Sequence, residues 1–376
     1  MKDGPVKPRE HRLVWLQALR GIAALMVVFL HDREALKAAG FGAAFQPMGL
    51  FGMGVDLFFL ISGFIMVLTT RGFDGTPAYA ARFLAKRFAR IWPIYAIATV
   101  VYIAAGWHGV DGRDTLVRAV EGLLFIPHDP VHAPIYFDMA VGVSWTLCFE
   151  FYFYVVFAAS MLFGRARYVA LAGWFALTLL AVPAAQSALD FVVTSPREVL
   201  GMRYSALALN PIVWDFVLGM LAAWVYLSPL RIGSRLLIGV VTVASLLFVA
   251  SAWHTLGLIG FHGPRGWGLL AAIGFVGAVL WAKARPFEVP LWTAWLGDIS
   301  YSLYLFHPLA FIVLTNAAIH SGLTGPVAGA LRFVLQPALA VVLAAAMYRY
   351  VEAPLSSRLR DILIGPRRSS PVISPL

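Results

Sequence analysis

The stretch LVWLQALRGIAALMVVFL, Leu13–Leu30, with His31 directly after it, is long and apolar enough to cross a bilayer, yet it carries an arginine at position 20. A guanidinium inside a spanning helix costs roughly 2.5–3.5 kcal/mol on insertion scales, so such a residue is read first as functional. His31 follows Arg20 by eleven positions. Eleven steps of about 100° end about 20° past three full turns, which sets both side chains on one helix face. At about 1.5 Å per residue they stand roughly 16 Å apart along the axis. A cation within the membrane therefore lines up with a titratable imidazole near the far end of the same helix. That arrangement suits a site that takes in a charged molecule from one side and reacts it at the other.

The rest of the chain agrees with a membrane reading. Of its 376 residues 60% are hydrophobic and 13% charged, about half the charge of an ordinary soluble domain. Apolar runs fall at 13–31, 48–69, 91–106, 143–163, 168–184, 207–227, 236–253, 267–282, 291–317 and 328–348. Ten spans of the usual 17–25 residues account for them, with the overlong run at 291–317 expected to contain a break. Basic residues such as Arg71, Arg82, Lys86, Arg165, Arg231, Arg235, Lys283, Arg358 and Arg360 gather on alternate loops. The opposite loops hold fewer, among them Arg113, Arg197 and Arg265. The positive-inside rule then places both termini in the cytoplasm. The formal charge of +10 reflects helix-flanking residues that anionic lipid attracts, and no basic face interleaved with aromatics suggests nucleic acid. Arg20 and the charged run HDRE after the first span exclude a cleaved signal peptide. With Cys148 the sole cysteine, no internal disulfide can form. The fold expected is an all-α integral membrane domain over 1–355 with a polar central cavity, followed by a flexible basic tail at 356–376.

Several polar residues sit where apolar ones are expected. His31 can take a proton from a hydroxyl and return it to a leaving group. In PAYAARFLAKRFARIWP, Pro77–Pro93, the residues Arg82, Lys86 and Arg90 recur on one helix face with Arg87 beside them. Such a stripe anchors an amphipathic helix to lipid phosphates or grips a phosphorylated ligand, and the two roles are compatible. Asp56 and Ser62 lie in GMGVDLFFLISGF, Trp145 and Glu150 in SWTLCFEFYFY, and Asp215 in WDFVLGM. Asp298, Tyr301 and His307 lie in GDISYSLYLFHPL, and Glu352 in YRYVEAPL. Any one of them could be a structural partner for an arginine; together they suggest a polar cavity. Pro308 removes a backbone hydrogen bond directly after His307. Cys148 reads as a small apolar filler, and the proline-broken His128 and His132 do not form a metal site. No glycine-rich phosphate loop or GxSxG is present.

Six stretches, LRGIAALMVVFLH (Leu19–His31), GVDLFFLISGFIM (Gly54–Met66), RFLAKRFARIWPIY (Arg82–Tyr95), SWTLCFEFYFY (Ser144–Tyr154), ISYSLYLFHPL (Ile299–Leu309) and VEAP (Val351–Pro354), occur in the order found in one known group. In them the chain resembles the acyltransferase-3 family of bacterial membrane O-acyltransferases. The resemblance implies a multi-pass protein of the bacterial inner membrane. It also implies a cytoplasmic acyl-CoA co-substrate, acetyl-CoA foremost, with no tightly bound cofactor or metal. The acceptor implied is a hydroxyl of a cell-surface or lipid-linked glycan at the outer side, although macrolide acceptors also occur in the family. His31 matches the family's essential histidine, Arg20 its membrane arginine, and Arg87 and Arg90 a pair linked to CoA phosphates. Many members carry an added extracytoplasmic hydrolase-like domain, which these 376 residues do not include. The expected catalytic set is His31 with Glu150, and the acyl-CoA set is Arg20, Lys86, Arg87 and Arg90. Asp56, Ser62, Trp145, Asp298, Tyr301, His307 and Glu352 are expected to support the cavity. Glu150 and Asp56 are both candidates to orient the imidazole or to offset Arg20. A coupled transporter of a small anion is the alternative reading, because midplane charges fit that class too.

Overall fold

The computed structural model describes residues 13–105, 112–127, 133–134, 139–195, 197–256, 262–284 and 288–365. Among them every named element is helical. Among the described residues, nine helices are long and apolar enough to cross a membrane, or ten when one bent pair counts as a single span, in agreement with the expected number.

The order is α1 (Val14–Ala38), α2 (Gly42–Met48), α3 (Met53–Thr69), α4 (Pro77–Ala104), α5 (Gly112–Leu123), α6 (Trp145–Met161), α7 (Arg167–Ala176) and α8 (Val182–Ala185). Then come α9 (Arg203–Leu209), α10 (Val213–Leu227), α11 (Arg235–Leu256), α12 (Trp267–Ala284), α13 (Leu291–Asp298), α14 (Ser300–His320), α15 (Gly325–Met347) and α16 (Ala353–Ile364).

The breaks have local causes. At α9–α10, Pro211 cannot donate to the ladder, and the chain turns 45°. Asn210 restarts the helix by accepting from the Ile212 amide at 3.0 Å and donating to Val193 O at 2.9 Å. Two π turns, Leu177–Ala181 and Tyr348–Glu352, each end two residues before a proline, Pro183 and Pro354. The wider turn absorbs the missing donor and lets the helix continue. The run at 291–317 divides at Ile299 into α13 and α14, where a break was expected.

Two lengths differ from the sequence reading. The run at 91–106 is the second half of α4, a 28-residue helix that begins at Pro77 and takes in the basic stripe. Thr76 caps it, accepting from the Tyr79 amide at 3.2 Å, and is itself held by Asp74. Residues 356–364, read as the start of a tail, continue instead as α16, packed along α4.

α1 is the hub, touching α2, α3, α13, α14 and α15. Glycines allow the closest approaches. A Cβ on Gly21 would meet Leu296 and the Gly297 backbone, and one on Gly297 would meet the Gln17 backbone. Small residues at a membrane helix crossing let two backbones approach and pack. This crossing of α1 with α13 brings Asp298 and Ser300 level with Gln17 and Arg20.

Candidate functional site

A cavity opens between α1, α3, α4, α6 and α14. Its polar lining is Arg20, Ser62, Arg87, Arg90, Thr146, Glu150, Tyr154, Ser300, Tyr301 and Tyr304. The apolar wall is mostly α3, with Val55, Phe58, Phe59, Ile61, Ile65 and Met66.

Three guanidiniums converge here, and each is held differently. Arg20 donates to Gln17 Oε1 at 2.9 Å and to Ser300 Oγ at 3.1 Å. Gln17 in turn donates to Asp298 Oδ1 at 3.0 Å, so Asp298 supports Arg20 through an amide rather than as a direct ion pair. Arg87 donates to Thr69 Oγ1 at 3.2 Å and lies 5.5 Å from the ring centres of both Phe83 and Tyr154. Arg90 lines the cavity and hydrogen-bonds to no other described residue. Glu150 stands opposite, accepting from Ser62 at 3.0 Å and from the Tyr154 hydroxyl. Tyr301 donates to Ile91 O at 2.9 Å, tying α14 to α4.

The basic stripe of α4 divides. Arg87 and Arg90 face the cavity together with Ile91. Arg82 pairs with Asp74 at 3.3 Å, with about half of each side chain exposed, and Lys86 is exposed and lines no part of the cavity. Helix phase explains the division. Relative to buried Phe83, Arg90 lies about 20° and Arg87 about 40° to either side, whereas Arg82 lies about 100° and Lys86 about 60° away.

His31 lies outside the cavity lining, on an exposed part of α1. Its Nδ1 lies 2.9 Å from Val27 O and 3.2 Å from Nε2 of His307, which is fully buried. Arg20 and His31 do share a face, and that face meets α14 at Ser300 and at His307. Tyr304 joins the two levels: its hydroxyl donates to Val143 O at 2.7 Å, it lines the cavity, and its ring centre is 6.3 Å from that of His307.

Three other expected residues sit elsewhere. Asp56 bonds neither His31 nor Arg20. Its carboxylate takes His262 Nδ1 at 2.8 Å and the Gly263 amide at 2.7 Å, anchoring the segment before α12. Trp145 packs against that same His262, with ring centres 5.6 Å apart. Glu352, in the second π turn, accepts from Ser302 at 2.6 Å. His128 and His132 lie outside the described residues.

Sequence reading passed over Gln17, Tyr154, Ser300 and His262. Gln17 precedes Arg20 by three and Tyr154 follows Glu150 by four, so helical periodicity already placed both beside their partners. His262 had no such signal, because its partner lies 206 residues away.

Residues 13–349 match the acyltransferase domain that defines the acyltransferase-3 family. The chain belongs to that family. It is 31% identical over 323 residues to the exopolysaccharide production protein ExoZ of Rhizobium meliloti, covering 82% of this chain and 90% of that one. Similarity to the acyltransferase MdmB of Streptomyces mycarofaciens is 29% over 256 residues, or 65% of this chain and 64% of the relative. A third relative, protein 2 in the picA locus of Rhizobium radiobacter, is 30% identical over 135 residues, 31% of this chain and 65% of that one. No solved structure matches the chain. The protein is thus an integral-membrane O-acyltransferase, and the family domain spans both the arginine-lined cavity and the His31–His307 pair.

Proposed function

We propose that this O-acyltransferase moves an acyl group, acetyl foremost, from acyl-CoA on the cytoplasmic side of the bacterial inner membrane to a hydroxyl of a cell-surface or lipid-linked glycan on the outer side. The observation that carries this reading is the cavity itself, where Arg20, Arg87 and Arg90 converge from two helices and Arg90 hydrogen-bonds to no other described residue. Guanidinium forks match phosphate oxygens in bidentate fashion, and a low-dielectric wall strengthens the attraction. Arg87 and Arg90 hold the phosphates of the donor, Arg20 steadies the arm beyond them, and Glu150 offsets part of the guanidinium charge. The thioester then lies toward His31. The relative named for exopolysaccharide production supports a glycan acceptor.

The chemistry needs one proton shuttle. His31 Nε2 takes the proton of the acceptor hydroxyl as its oxygen attacks the thioester carbonyl. The new C–O bond forms, the C–S bond breaks, and the departing thiolate regains that proton as free CoA thiol. Acyl ester and CoA are the products.

Full-length protein in lipid nanodiscs tests the reading. Acetyl-CoA is expected to raise the thermal midpoint, with CoA thiol released once an oligosaccharide acceptor is added. Stabilisation by a panel of small anions and none by acetyl-CoA would favour a transporter. Within the same assay, Arg87→Ala combined with Arg90→Ala should raise the donor KM about 100-fold. That is the loss of two charge-assisted hydrogen bonds at roughly 1.5 kcal/mol each, at about 1.4 kcal/mol per tenfold. Lys86→Ala, outside the cavity, should change it less than about threefold, the scale of an exposed charge. Equal KM effects from Lys86 and the arginine pair would remove the cavity as the phosphate site.

A further inference from the structure

We infer that His307 is a positioning residue that, together with the Val27 carbonyl, fixes the tautomer of His31, holding its proton on Nδ1 and leaving Nε2 as the lone-pair nitrogen for the reaction. This rests on the acyl-transfer reading and adds the group that makes His31 a competent base.

The inference starts from Pro308. With no N–H it cannot donate to Tyr304 O, its partner in a regular helix. α14 nevertheless runs unbroken from Ser300 to His320, because side chains serve the groups around the proline. The Tyr102 hydroxyl donates to Leu305 O at 3.0 Å and accepts from the Leu309 amide at 3.1 Å. The carbonyl that Pro308 orphans is taken by the imidazole beside it: His307 Nδ1 lies 2.9 Å from Tyr304 O and 3.1 Å from Leu303 O.

Carbonyl oxygens only accept, so Nδ1 of His307 carries the hydrogen, and the other nitrogen of the neutral ring is bare. That bare Nε2 is 3.2 Å from His31 Nδ1. The same His31 nitrogen faces Val27 O at 2.9 Å, another pure acceptor, so it too must bear hydrogen and donates to both. One proton per neutral ring is then assigned, and His31 Nε2 is free. The ring of His307 cannot turn away easily, because it is fully buried with Phe311 edge-on at 5.6 Å.

A carboxylate fills this orienting role in a serine-hydrolase triad. Here a neutral imidazole fills it, locked in place by a proline in its own helix. Once His31 accepts a proton at Nε2, its Nδ1–H bond to His307 becomes charge-assisted and roughly twice as strong. The gain comes as the reaction proceeds, so it bears on kcat and not on donor binding.

Two substitutions separate orientation from packing. The Oε1 of His307→Gln reaches the place of Nε2 and can accept from His31. The shorter His307→Asn can still serve the Leu303 and Tyr304 carbonyls but does not reach His31. With the full-length protein in nanodiscs, acetyl-CoA and an oligosaccharide acceptor, His307→Asn is expected to lose about 100-fold or more in kcat, the general-base scale, with the donor KM unchanged. His307→Gln is expected to keep at least about a tenth of the wild-type kcat. Nitrogen-15 spectra of histidine-labelled protein should show Nε2 of His31 unprotonated in the wild type and in His307→Gln, and a smaller share of that tautomer in His307→Asn, where Val27 O is left as the acceptor for the Nδ1 hydrogen. Equal kcat for the two variants, or an unprotonated Nδ1 on His31 in the wild type, would overturn the inference. If wild-type protein releases no thiol from acetyl-CoA, the acyl-transfer reading is the one that fails, and the spectra still decide the tautomer.

Discussion

His31→Ala leaves acyl transfer about 1,000-fold or more below wild type while the chain still folds and inserts. The magnitude follows from removing the imidazole that holds the proton in transit at the α14 end of the Arg20 face, within the 10²–10⁴ scale of general-base loss. Folding should survive because the side chain is exposed and α1 is held elsewhere. Trp15, Ala23, Ala24, Val27 and Val28 bury its core face, and the Gly21–Gly297 approach fixes its crossing with α13. One cost is expected. His307 Nε2 loses its donor and stays buried, a penalty of about 1–3 kcal/mol. His31→Asn removes most of that cost, because its amide can still donate toward His307 and cannot act as a base. Both variants should therefore be equally inactive, with His31→Asn the more thermally stable. The measurement is initial rate of CoA thiol release together with the thermal midpoint, in nanodiscs. Wild-type turnover by either variant removes His31 from the chemistry.

The Arg20–His31 alignment was legible because both residues lie on one helix, and helical phase within a helix is fixed by the backbone. The same holds for Arg87 and Arg90, and for Glu150 with Tyr154. Phase also contained the division of the basic stripe, since eight residues of drift turn Arg82 about 80° from Arg90. What a single helix does not encode is which neighbour each face will meet. Asp56 was open to several cationic partners, and its choice of His262 depends on how the segment before α12 folds back over α3. The link between Gln17 and Asp298 likewise depends on the close crossing of α1 with α13. The break within 291–317 was readable from the excess length of that apolar run, whereas 207–227 read as one span and hid the bend at Pro211. The repair around Pro308 was not readable either, because Tyr102 comes from α4, some 200 residues earlier in the chain.

That dependence on crossings sets the second large effect, on folding rather than rate. Gly219→Ala should remove more stability than any single change in the cavity. α3 and α10 meet through a reciprocal pair, with a Cβ on Gly219 falling onto the Leu60 carbonyl and backbone, and a Cβ on Gly63 onto the Phe216 carbonyl. Backbone cannot rotate aside as a side chain can, so the two helices must separate along their shared length. Ordinary overpacking costs about 1–3 kcal/mol, and a clash with main chain at a crossing should meet or exceed the upper figure. Separation would also strip packing from Phe59, Phe153 and Phe216, whose rings stack across α3, α6 and α10 with centres 4.4–4.6 Å apart. The site feels this because Ser62, next to Gly63, holds Glu150 at 3.0 Å across the cavity. Gly173→Ala is the matched control. Its added methyl meets nothing within 4 Å, and glycine inside a helix is worth about 0.5–1 kcal/mol less than alanine, so this change should be neutral or stabilising. Thermal unfolding followed by size-exclusion monodispersity distinguishes them: Gly219→Ala and Gly63→Ala should lower the midpoint sharply, and Gly173→Ala should hold or raise it. Equal midpoints for all three would mean that α3 and α10 do not pack through their glycines, and the placement of Ser62 against Glu150 would need another cause.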